Sequence, residues 1–421
     1  EESRWPADDK AVDDCQLNSQ GEDDCHNFIR VLHVHGDRLL ACGTNAFTPR
    51  CSWRPLEVIN NISECFPCLA RCPHSPHSHM SSLLSSGPAG TADLFIGSPT
   101  DLSSQEVAIF RLPLNSTLPN NNWLDAAEFV ASVEVDQFVF FFFREVAVEV
   151  SNCGKAVYSR VARVCKNDMG GGQQQRLKDS TWTTFVKARL NCSVPAEYPF
   201  YYDHIQSVAY VEEERLFYAA FTTAENSIAG SAVCSFTLDS MQESFAGPFK
   251  FQSSPNSTWE SVNSTHAHSH CNSDDPSSSL LEAAGKYQLM DRAVPSRSGK
   301  GPLIQLHSVR FNHIAVDVVA TKNHSSIHVL YVASRDGFVR KYSVLPSTQE
   351  RCLVEIVDPF ARLSHQPADR QIKTMQFLKV QVCVVPCEIN VPIRRVILIA
   401  PFIVSPVVLG STRCTLERKT R

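Results

Sequence analysis

The sequence predicts an all-β fold, a β-propeller, from three observations. Short apolar runs and alternation with a period of two dominate the 421 residues, whereas long stretches with helical periodicity are scarce. One local pattern, a polar turn followed by an apolar or aromatic run and then small residues, recurs five times. Several of the sixteen cysteines end a β-like run beside a polar turn, which is typical of a strand-rich domain stapled by disulfide bonds.

The copies of this pattern follow one another at irregular intervals, and a partner strand usually comes after each. They cover residues 36–44, 91–98, 136–144, 213–222 and 328–337. A propeller accommodates such spacing because each blade is a four-stranded sheet and the loops between strands vary in length. A β-sandwich would not need five copies of one pattern.

Composition sets limits on the kind of partner. With 43% hydrophobic and 9% aromatic residues, the chain can bury a substantial core. Its net charge of −5 gives no reason to expect nucleic acid or an anionic membrane surface as a partner.

Cysteines and glycosylation motifs together indicate an extracellular chain. Sixteen cysteines are too many for an ordinary cytosolic protein, in which thiols stay reduced. Six N-glycosylation motifs agree with a secretory route. Their asparagines are Asn61, Asn115, Asn191, Asn256, Asn263 and Asn323.

The two ends lack a signal peptide and a clear anchor, so we expect a fragment of a longer protein. The first 24 residues are polar and acidic. The most apolar stretch, residues 396–409, contains Pro401 and Pro406 and is shorter than the roughly 20 residues that a membrane span needs. Strands or an irregular tail explain it better.

One long insertion is predicted at residues 249–302, which are rich in Ser, Asn, His and Pro. A helix-like piece at residues 280–291 lies inside it. Shorter loops are expected at residues 73–90 and 115–122.

A cysteine- and histidine-rich stretch resembles a metal site, but disulfides or an irregular loop explain it better. Zinc requires four ligands in a tetrahedral array, and here too many ligands fall within too few residues, without a second pair of cysteines at finger spacing. The residues are Cys65, Cys68, Cys72, His74, His77 and His79. The histidines His266, His268 and His270 are likewise interpreted as part of an exposed loop.

No pattern supports catalysis, so we expect neither an enzyme nor a cofactor, metal or small-molecule substrate. The nucleophile elbow of serine hydrolases is absent. Residues 334–338 narrowly miss the aspartate box of sialidases and fit a β-turn better. The carboxylates of residues 212–214 fit a solvated turn.

Four segments of the sequence resemble the sema domain of semaphorins. They are residues 25–32, 42–47, 164–168 and 182–193, and the resemblance extends from Trp5 to Cys352 and fades by about Lys379. Residues 152–165 most resemble class 5 semaphorins, the transmembrane type with thrombospondin repeats after the propeller.

The resemblance implies a seven-bladed propeller that binds the sema domain of plexins, usually as a homodimer, to steer axons and migrating cells. The full-length protein would then be a single-pass protein of the plasma membrane. The alternatives are a plexin-like receptor ectodomain and, third, a propeller hydrolase, which would need convergent carboxylates or a metal on one face.

The resemblance also implies disulfide pairings, which cysteine spacing alone leaves open. The pairs are Cys15–Cys25, Cys42–Cys51, Cys165–Cys271 and Cys192–Cys234, with Cys72–Cys153 as a further candidate. Cys65 and Cys68 are additional to the usual pattern.

The chain departs from the family at both ends. The first strands of blade one are missing before Trp5, and the closing strands do not follow residues 376–378. We therefore expect an incomplete sema propeller at residues 1–378 and a divergent tail at residues 379–421.

The family places plexin contacts on loops of blades three and four. The candidate contact residues in this chain are Lys166, Asn167, Asp168, Arg176, Lys178, Tyr201, Tyr202 and His204. Trp182, Phe185 and Leu190 are interpreted as core rather than as contacts.

Overall fold

Antiparallel strands make up most of the structure, a computed structural model. It describes residues 4–18, 21–68, 71–86, 92–112, 115–117, 121–168, 170, 181–263, 271, 278–297, 299, 301–321, 326–361, 372, 374–381, 392–400 and 403–407. The chain divides into two units, one of Glu1–Leu190 with Gln242–Val294 and one of Asn191–Met241 with Pro295–Arg421.

Three sheets, each built on four consecutive strands, account for the first half of the chain. Its elements are α1 (Asp9–Leu17), β1 (Ile29–His35), β2 (Arg38–Gly43), β3 (Arg50–Pro55), β4 (Glu64–Pro67), β5 (Ser81–Ser86), β6 (Ala92–Pro99), β7 (Val107–Leu112), β8 (Asn115–Ser116), β9 (Glu128–Val135), β10 (Phe138–Val146), β11 (Val157–Cys165) and β12 (Val186–Asn191). Strands β1 to β4, β5 to β8 and β9 to β12 pair in chain order.

The second half continues the same plan with two more four-stranded sheets and one of three strands. Its elements are β13 (Ser193–Val194), β14 (Phe200–Tyr201), β15 (His204–Val211), β16 (Leu216–Thr222), β17 (Gly230–Thr237), α2 (Leu238–Phe245), β18 (Phe249–Phe251), β19 (Glu260–Val262), α3 (Ser278–Lys286), β20 (Val294–Pro295), β21 (Ile304–His307), β22 (Phe311–Val319), β23 (Ile327–Ser334), β24 (Val339–Val344), β25 (Arg351–Val357), β26 (Thr374–Gln381), β27 (Pro392–Ala400) and β28 (Ile403–Val407). The sheets are β15-β16-β17-β21, β22-β23-β24-β25 and β26-β27-β28, and two-stranded pairs form between β13 and β14 and between β18 and β19.

The recurring sequence pattern marks, in chain order, the second strand of five of the sheets. Its five copies coincide with β2, β6, β10, β16 and β23. These strands are flanked by a partner on each side, and most of their residues are buried. This explains why they read as continuous apolar runs rather than as an alternation.

The hairpin between β9 and β10 shows how the sequence sets the turns. Val135 pairs with Phe138 across a two-residue turn, and Asp136 takes a positive φ of 55° there. Aspartate tolerates this left-handed conformation better than most residues with a side chain. The turn therefore leads directly into the aromatic strand, whose first six residues, 138–143, are all buried.

Stacked aromatic rings fill the core of the first unit. The ring centroids of Trp123 and Phe185 lie 5.1 Å apart, and both side chains are buried, as are Trp182 and Leu190. The prediction that Trp182, Phe185 and Leu190 belong to the core is confirmed. A Cβ atom at Gly97 would lie 2.5 Å from the ring of Phe129, so the packing requires a glycine there.

The same unit buries a network of four charged side chains. The Glu145 carboxylate accepts hydrogen bonds from Arg160 Nε at 2.9 Å and from Lys187 Nζ at 2.7 Å. Arg160 also donates to Glu149, with its Nη2 2.6 Å from Oε2. Burial lowers the pKa of Lys187, whereas Glu149 and Glu145 together hold the pKa of Arg160 above its usual value against the effect of burial.

This network predicts a specific loss of stability in acid. Burial tends to raise the pKa of Glu149, but Arg160 more than offsets it, so the carboxyl keeps a lowered pKa. A carboxyl with a lowered pKa in the folded state stabilises the fold above its unfolded pKa, and this contribution disappears as the pH falls through the folded value.

We therefore expect Glu149→Gln to flatten the pH dependence of the unfolding free energy below about pH 4.3, the ordinary glutamate pKa. Urea unfolding between neutral and acidic pH measures this slope. Glu57→Gln, at an exposed glutamate of the same unit, is the control and should leave the slope as in the wild type. Equal slopes in all three proteins would contradict the prediction.

The predicted insertion at residues 249–302 falls between β17 and β21, the third and fourth strands of one sheet. It contains β18, β19, α3 and β20. The helix predicted at residues 280–291 corresponds to α3, which begins two residues earlier and ends at Lys286. Strand β20 adds to the edge of the sheet formed by β9 to β12.

The expected domain boundary after residue 378 lies inside a strand. β26 spans Thr374–Gln381 and pairs with β27, which in turn pairs with β28. Residues 396–400 and 403–407 of the most apolar stretch thus belong to two different strands. Within the described residues, no helix is both long enough and apolar enough to cross a membrane.

Candidate protein-binding surface

Two disulfide bonds, at Cys165 and at Cys192, lie next to candidate contact residues. Each of the four cysteine pairs implied by the resemblance is joined in the structure. The Cα–Cα distances are 5.8 Å for Cys15–Cys25, 4.0 Å for Cys42–Cys51, 5.4 Å for Cys165–Cys271 and 5.8 Å for Cys192–Cys234. Cys51 also contacts the sulfur of Cys68.

The further candidate pair, Cys72–Cys153, is not formed in this structure. Cys72 is a buried free thiol, and it packs in an apolar cluster with Cys42, Cys51 and Cys68. The side chain of Cys153 lies outside the described residues. Cys72 is therefore part of the packing beneath the first sheet.

The corner after β11 holds three of the predicted contact residues in the first unit. Lys166 is half-buried and pairs with Glu134, Nζ to Oε1, at 2.6 Å. Asn167 is exposed, and its side-chain amide donates to the carbonyl of Cys271. Both side chains thus fasten the corner to its surroundings, while part of each stays open to solvent.

Asp168 anchors this corner, and its prediction as a contact residue is wrong. The side chain is buried. Its carboxylate accepts hydrogen bonds from the backbone N–H and the hydroxyl of Thr183 and of Thr184, at distances of 2.6 to 2.9 Å. With these four donors and the N–H of Gly170 at 2.8 Å, no oxygen is left to meet a partner. Arg176 and Lys178 lie outside the described residues.

A short aromatic hairpin in the second unit carries one predicted contact residue, Tyr201, beside two exposed aromatic residues that were not predicted. Ser193 pairs with Tyr201 and Val194 with Phe200. The side chains of Tyr198, Phe200 and Tyr201 are 85%, 53% and 38% exposed. We call these three residues the aromatic hairpin surface.

Three contacts hold the base of the hairpin. Tyr202 is buried, so its prediction as a contact residue is wrong, and its backbone N–H donates to the carbonyl of Cys192 at 2.9 Å. Its ring meets that of Phe200 edge-on, with centroids 5.2 Å apart. The disulfide from Cys192 to Cys234 ties the same point to β17. His204, half-buried, begins β15 directly after this base.

Sequence reasoning missed Tyr198 and Phe200. The available signal was the position of three aromatic residues around Pro199 in a segment between two strands. The residue before a proline is restricted to extended conformations, which is typical of loops and turns. Aromatic side chains in such a loop are candidates for exposure to solvent. Aromatic residues are enriched at protein interfaces because they offer large contact areas at low entropic cost.

The glycosylation motifs differ in accessibility. Asn61, Asn256 and Asn263 are exposed, and Asn191 is half-buried at the end of β12. Asn323 and the side chain of Asn115 lie outside the described residues. Exposed loop positions are compatible with a bulky glycan.

The cysteines and histidines of the apparent metal site point to different partners. Cys65 is exposed, His74 Nδ1 lies 2.8 Å from the carbonyl of Phe47, and His77 Nε2 lies 2.8 Å from Asp24 Oδ1. His79 Nε2 lies 3.5 Å from Glu128 Oε2. His266, His268 and His270 lie outside the described residues.

The sequences that resembled catalytic motifs are turns. Ser334 Oγ donates to Asp336 Oδ1 at 2.5 Å in the turn between β23 and β24, where Gly337 has a φ of 87°. Residues 212–215 form the turn between β15 and β16.

Comparison with known proteins identifies the family. The Sema domain model matches residues 203–375. Semaphorin 5c of Drosophila melanogaster is 43% identical over 366 residues, which cover 85% of this chain and 33% of that protein. Human Semaphorin-5A is 39% identical over 90% of this chain and 35% of its own length. The chain thus spans about a third of the length of these curated relatives.

Two solved structures share the fold. Drosophila Semaphorin 1a, extracellular domains 1-2, is 31% identical, with a TM-score of 0.80 over 98% of this chain and 80% of that one. A chain from the structure of Drosophila Plexin A in complex with Semaphorin 1b is also 31% identical, with a TM-score of 0.76 over 94% of this chain and 76% of that one. The prediction of a β-propeller fold is confirmed, and this chain belongs to the semaphorin family and resembles its class 5 members.

Proposed function

We propose that this chain is the plexin-binding part of an extracellular semaphorin guidance ligand that directs axon growth and cell migration. The observation that carries the proposal is its likeness to the structure of Plexin A in complex with Semaphorin 1b. Extracellular placement agrees with the described disulfides and exposed glycosylation motifs. Membership in the semaphorin family favours a ligand over a plexin-like receptor and over a propeller hydrolase.

The aromatic hairpin surface is the proposed contact in the second unit. Interfaces gain most of their energy from a few large side chains, often aromatic, that become buried against the partner. Tyr198, Phe200 and Tyr201 are exposed in the free chain, and their backbone is held by the disulfide at Cys192. A preorganised loop loses little entropy on binding, so the same contacts yield a higher affinity.

We expect the double substitution Tyr198→Ala with Phe200→Ala to weaken binding to a plexin ectodomain at least tenfold. This corresponds to the loss of about 1.4 kcal/mol or more, a modest value for two interface aromatics. The measurement is equilibrium binding of the full chain to the immobilised Drosophila Plexin A ectodomain.

The matched control is Ile228→Ala, which removes an 88% exposed apolar side chain of the same unit outside the hairpin. It should bind as the wild type does. If the wild type fails to bind at micromolar concentration, the ligand proposal is wrong. If the wild type binds and the hairpin variant binds equally well, the proposed contact is wrong while the ligand proposal stands.

The proposed assembly is a homodimer, as the resemblance implies. Two linked copies would engage two receptors, and the second contact would then form at a high effective concentration. Analytical ultracentrifugation of the chain used in the binding experiment measures this state directly. A monomer throughout the micromolar range would contradict the homodimer but leave single-site plexin binding unaffected.

A further inference from the structure

Three buried cysteines meet beneath the first sheet of the first unit. Cys42 and Cys51 face each other across β2 and β3. Cys68 lies just past β4, where its N–H donates to the carbonyl of Pro49 at 2.8 Å. The three sulfur atoms all lie within 4.8 Å of one another, and all three residues are fully buried.

Cys51 has two bonding partners but can form one disulfide at a time. Its sulfur lies within 4.8 Å of the sulfurs of both Cys42 and Cys68. The Cα–Cα distances are 4.0 Å to Cys42 and 5.4 Å to Cys68. Disulfides usually have Cα atoms 4.4 to 6.8 Å apart, so the pair with Cys68 lies within this range and the pair with Cys42 just below it. The backbone spacing thus fits the bond to Cys68, and it is slightly closer than usual for the bond to Cys42.

We propose that Cys51 is the shared member of an isomerisable disulfide, which exchanges between Cys42–Cys51 and Cys51–Cys68. The Cys68 thiolate attacks the sulfur of Cys51, forming one S–S bond while the bond to Cys42 breaks. Cys42 leaves as a thiolate and takes up the proton that Cys68 released. One disulfide is formed and one is broken, so the exchange consumes no oxidant or reductant.

The two isomers tether different parts of the chain. Cys42–Cys51 joins neighbouring strands across 9 residues, whereas Cys51–Cys68 joins β3 to the segment after β4 across 17 residues. That segment continues to His74 and His77, which fasten it to Phe47 and Asp24. Exchange would thus attach or release the start of this histidine-bearing segment.

The neighbouring thiols are poor competitors for Cys51. Cys65 pairs with Ser52 across β3 and β4, whereas Cys51 pairs with Phe66. Successive side chains of a strand point to opposite faces, so Cys65 faces away from Cys51. Cys72 is buried nearby, but its sulfur does not belong to the group of three that lie within 4.8 Å of one another.

Disulfide mapping of the full chain tests the proposal. Free thiols are blocked at mildly acidic pH, where exchange is slow, before digestion. Trypsin cleaves after Arg50 and Arg71, and a glutamate-specific protease cleaves after Glu57 and Glu64. Cys42, Cys51 and Cys68 then lie on three separate peptides, so each isomer gives a distinct linked pair.

Both linked pairs are expected from the wild type, and their ratio should reach a constant value within minutes to hours at mildly alkaline pH. Cys68→Ser should give only Cys42–Cys51, and Cys42→Ser only Cys51–Cys68. Cys72→Ser is the control and should leave the wild-type ratio unchanged. A single linked pair in the wild type after this incubation, or a bond from Cys68 to Cys65 or Cys72, would overturn the proposal.

Discussion

Replacing Cys165 and Cys271 together with alanine is expected to lower the free energy of unfolding of the first unit by about 4.8 kcal/mol, the loop-closure value for 106 residues. The bond acts mainly on the unfolded chain, whose conformational freedom it restricts. The folded corner has other supports, since the N–H of Cys165 donates to Thr184 Oγ1 at 3.0 Å. The loss should therefore appear as a lower stability of the same fold.

The matched control is the Cys15–Cys25 pair, whose cysteines belong to the same unit and are buried to a similar degree. Its separation of 10 residues gives a loop-closure value of about 2.7 kcal/mol, so its double alanine variant should lose about 2 kcal/mol less. All five tryptophans belong to the first unit, so urea unfolding followed by tryptophan fluorescence reports on this unit. Equal losses in the two variants would show that local packing, rather than loop length, determines the effect.

Much of the fold could be predicted from sequence because central strands carry a strong local signal. An aromatic strand such as residues 138–143 reads as buried on both faces, and a polar pair such as Asp136–Gln137 predicts the turn before it. The five copies of the strand pattern then favoured a β-propeller. These inferences depend on neighbours in sequence, which the chain displays directly.

The cysteine pairings and the contact residues could not be predicted in this way. Cys165 and Cys271 are separated by 106 residues, and spacing does not reveal which distant segments meet. Asp168 was expected to face a partner because the resemblance places plexin contacts on loops of blades three and four. Its carboxylate instead meets Thr183 and Thr184, which lie 15 and 16 residues further along the chain. The sequence alone does not show that this later segment returns to the corner after β11.

The buried ion network escaped sequence analysis for a related reason. Glu145 follows Phe141 and Phe143 at alternate positions of β10, which places it on the same face as two core rings. A glutamate at such a position is the signal that could have been noticed. Its partners Arg160 and Lys187 lie on β11 and β12, so only the pairing of the three strands brings the charges together.

Glu145→Gln is expected to cost about 3 to 5 kcal/mol of unfolding free energy, since it removes one partner from a buried ion pair. The side chains of Glu145, Arg160 and Lys187 have almost no exposed surface. Arg160 keeps Glu149, but Lys187 loses the carboxylate that balances its charge. An unbalanced charge in the interior costs far more than the same charge at the surface.

Two further variants separate this explanation from a general effect of mutating β10. Glu128→Gln removes the partly exposed partner of Arg144, the residue next to Glu145, and an exposed pair contributes less than about 1 kcal/mol. The double variant Glu145→Gln with Lys187→Met removes both charges, so it should be more stable than Glu145→Gln alone. If the double variant instead loses the sum of the two single effects, the charges are not coupled. In that case the charge of Lys187 does not destabilise the Glu145→Gln variant. The stability lost at Glu145 would then come from changed packing.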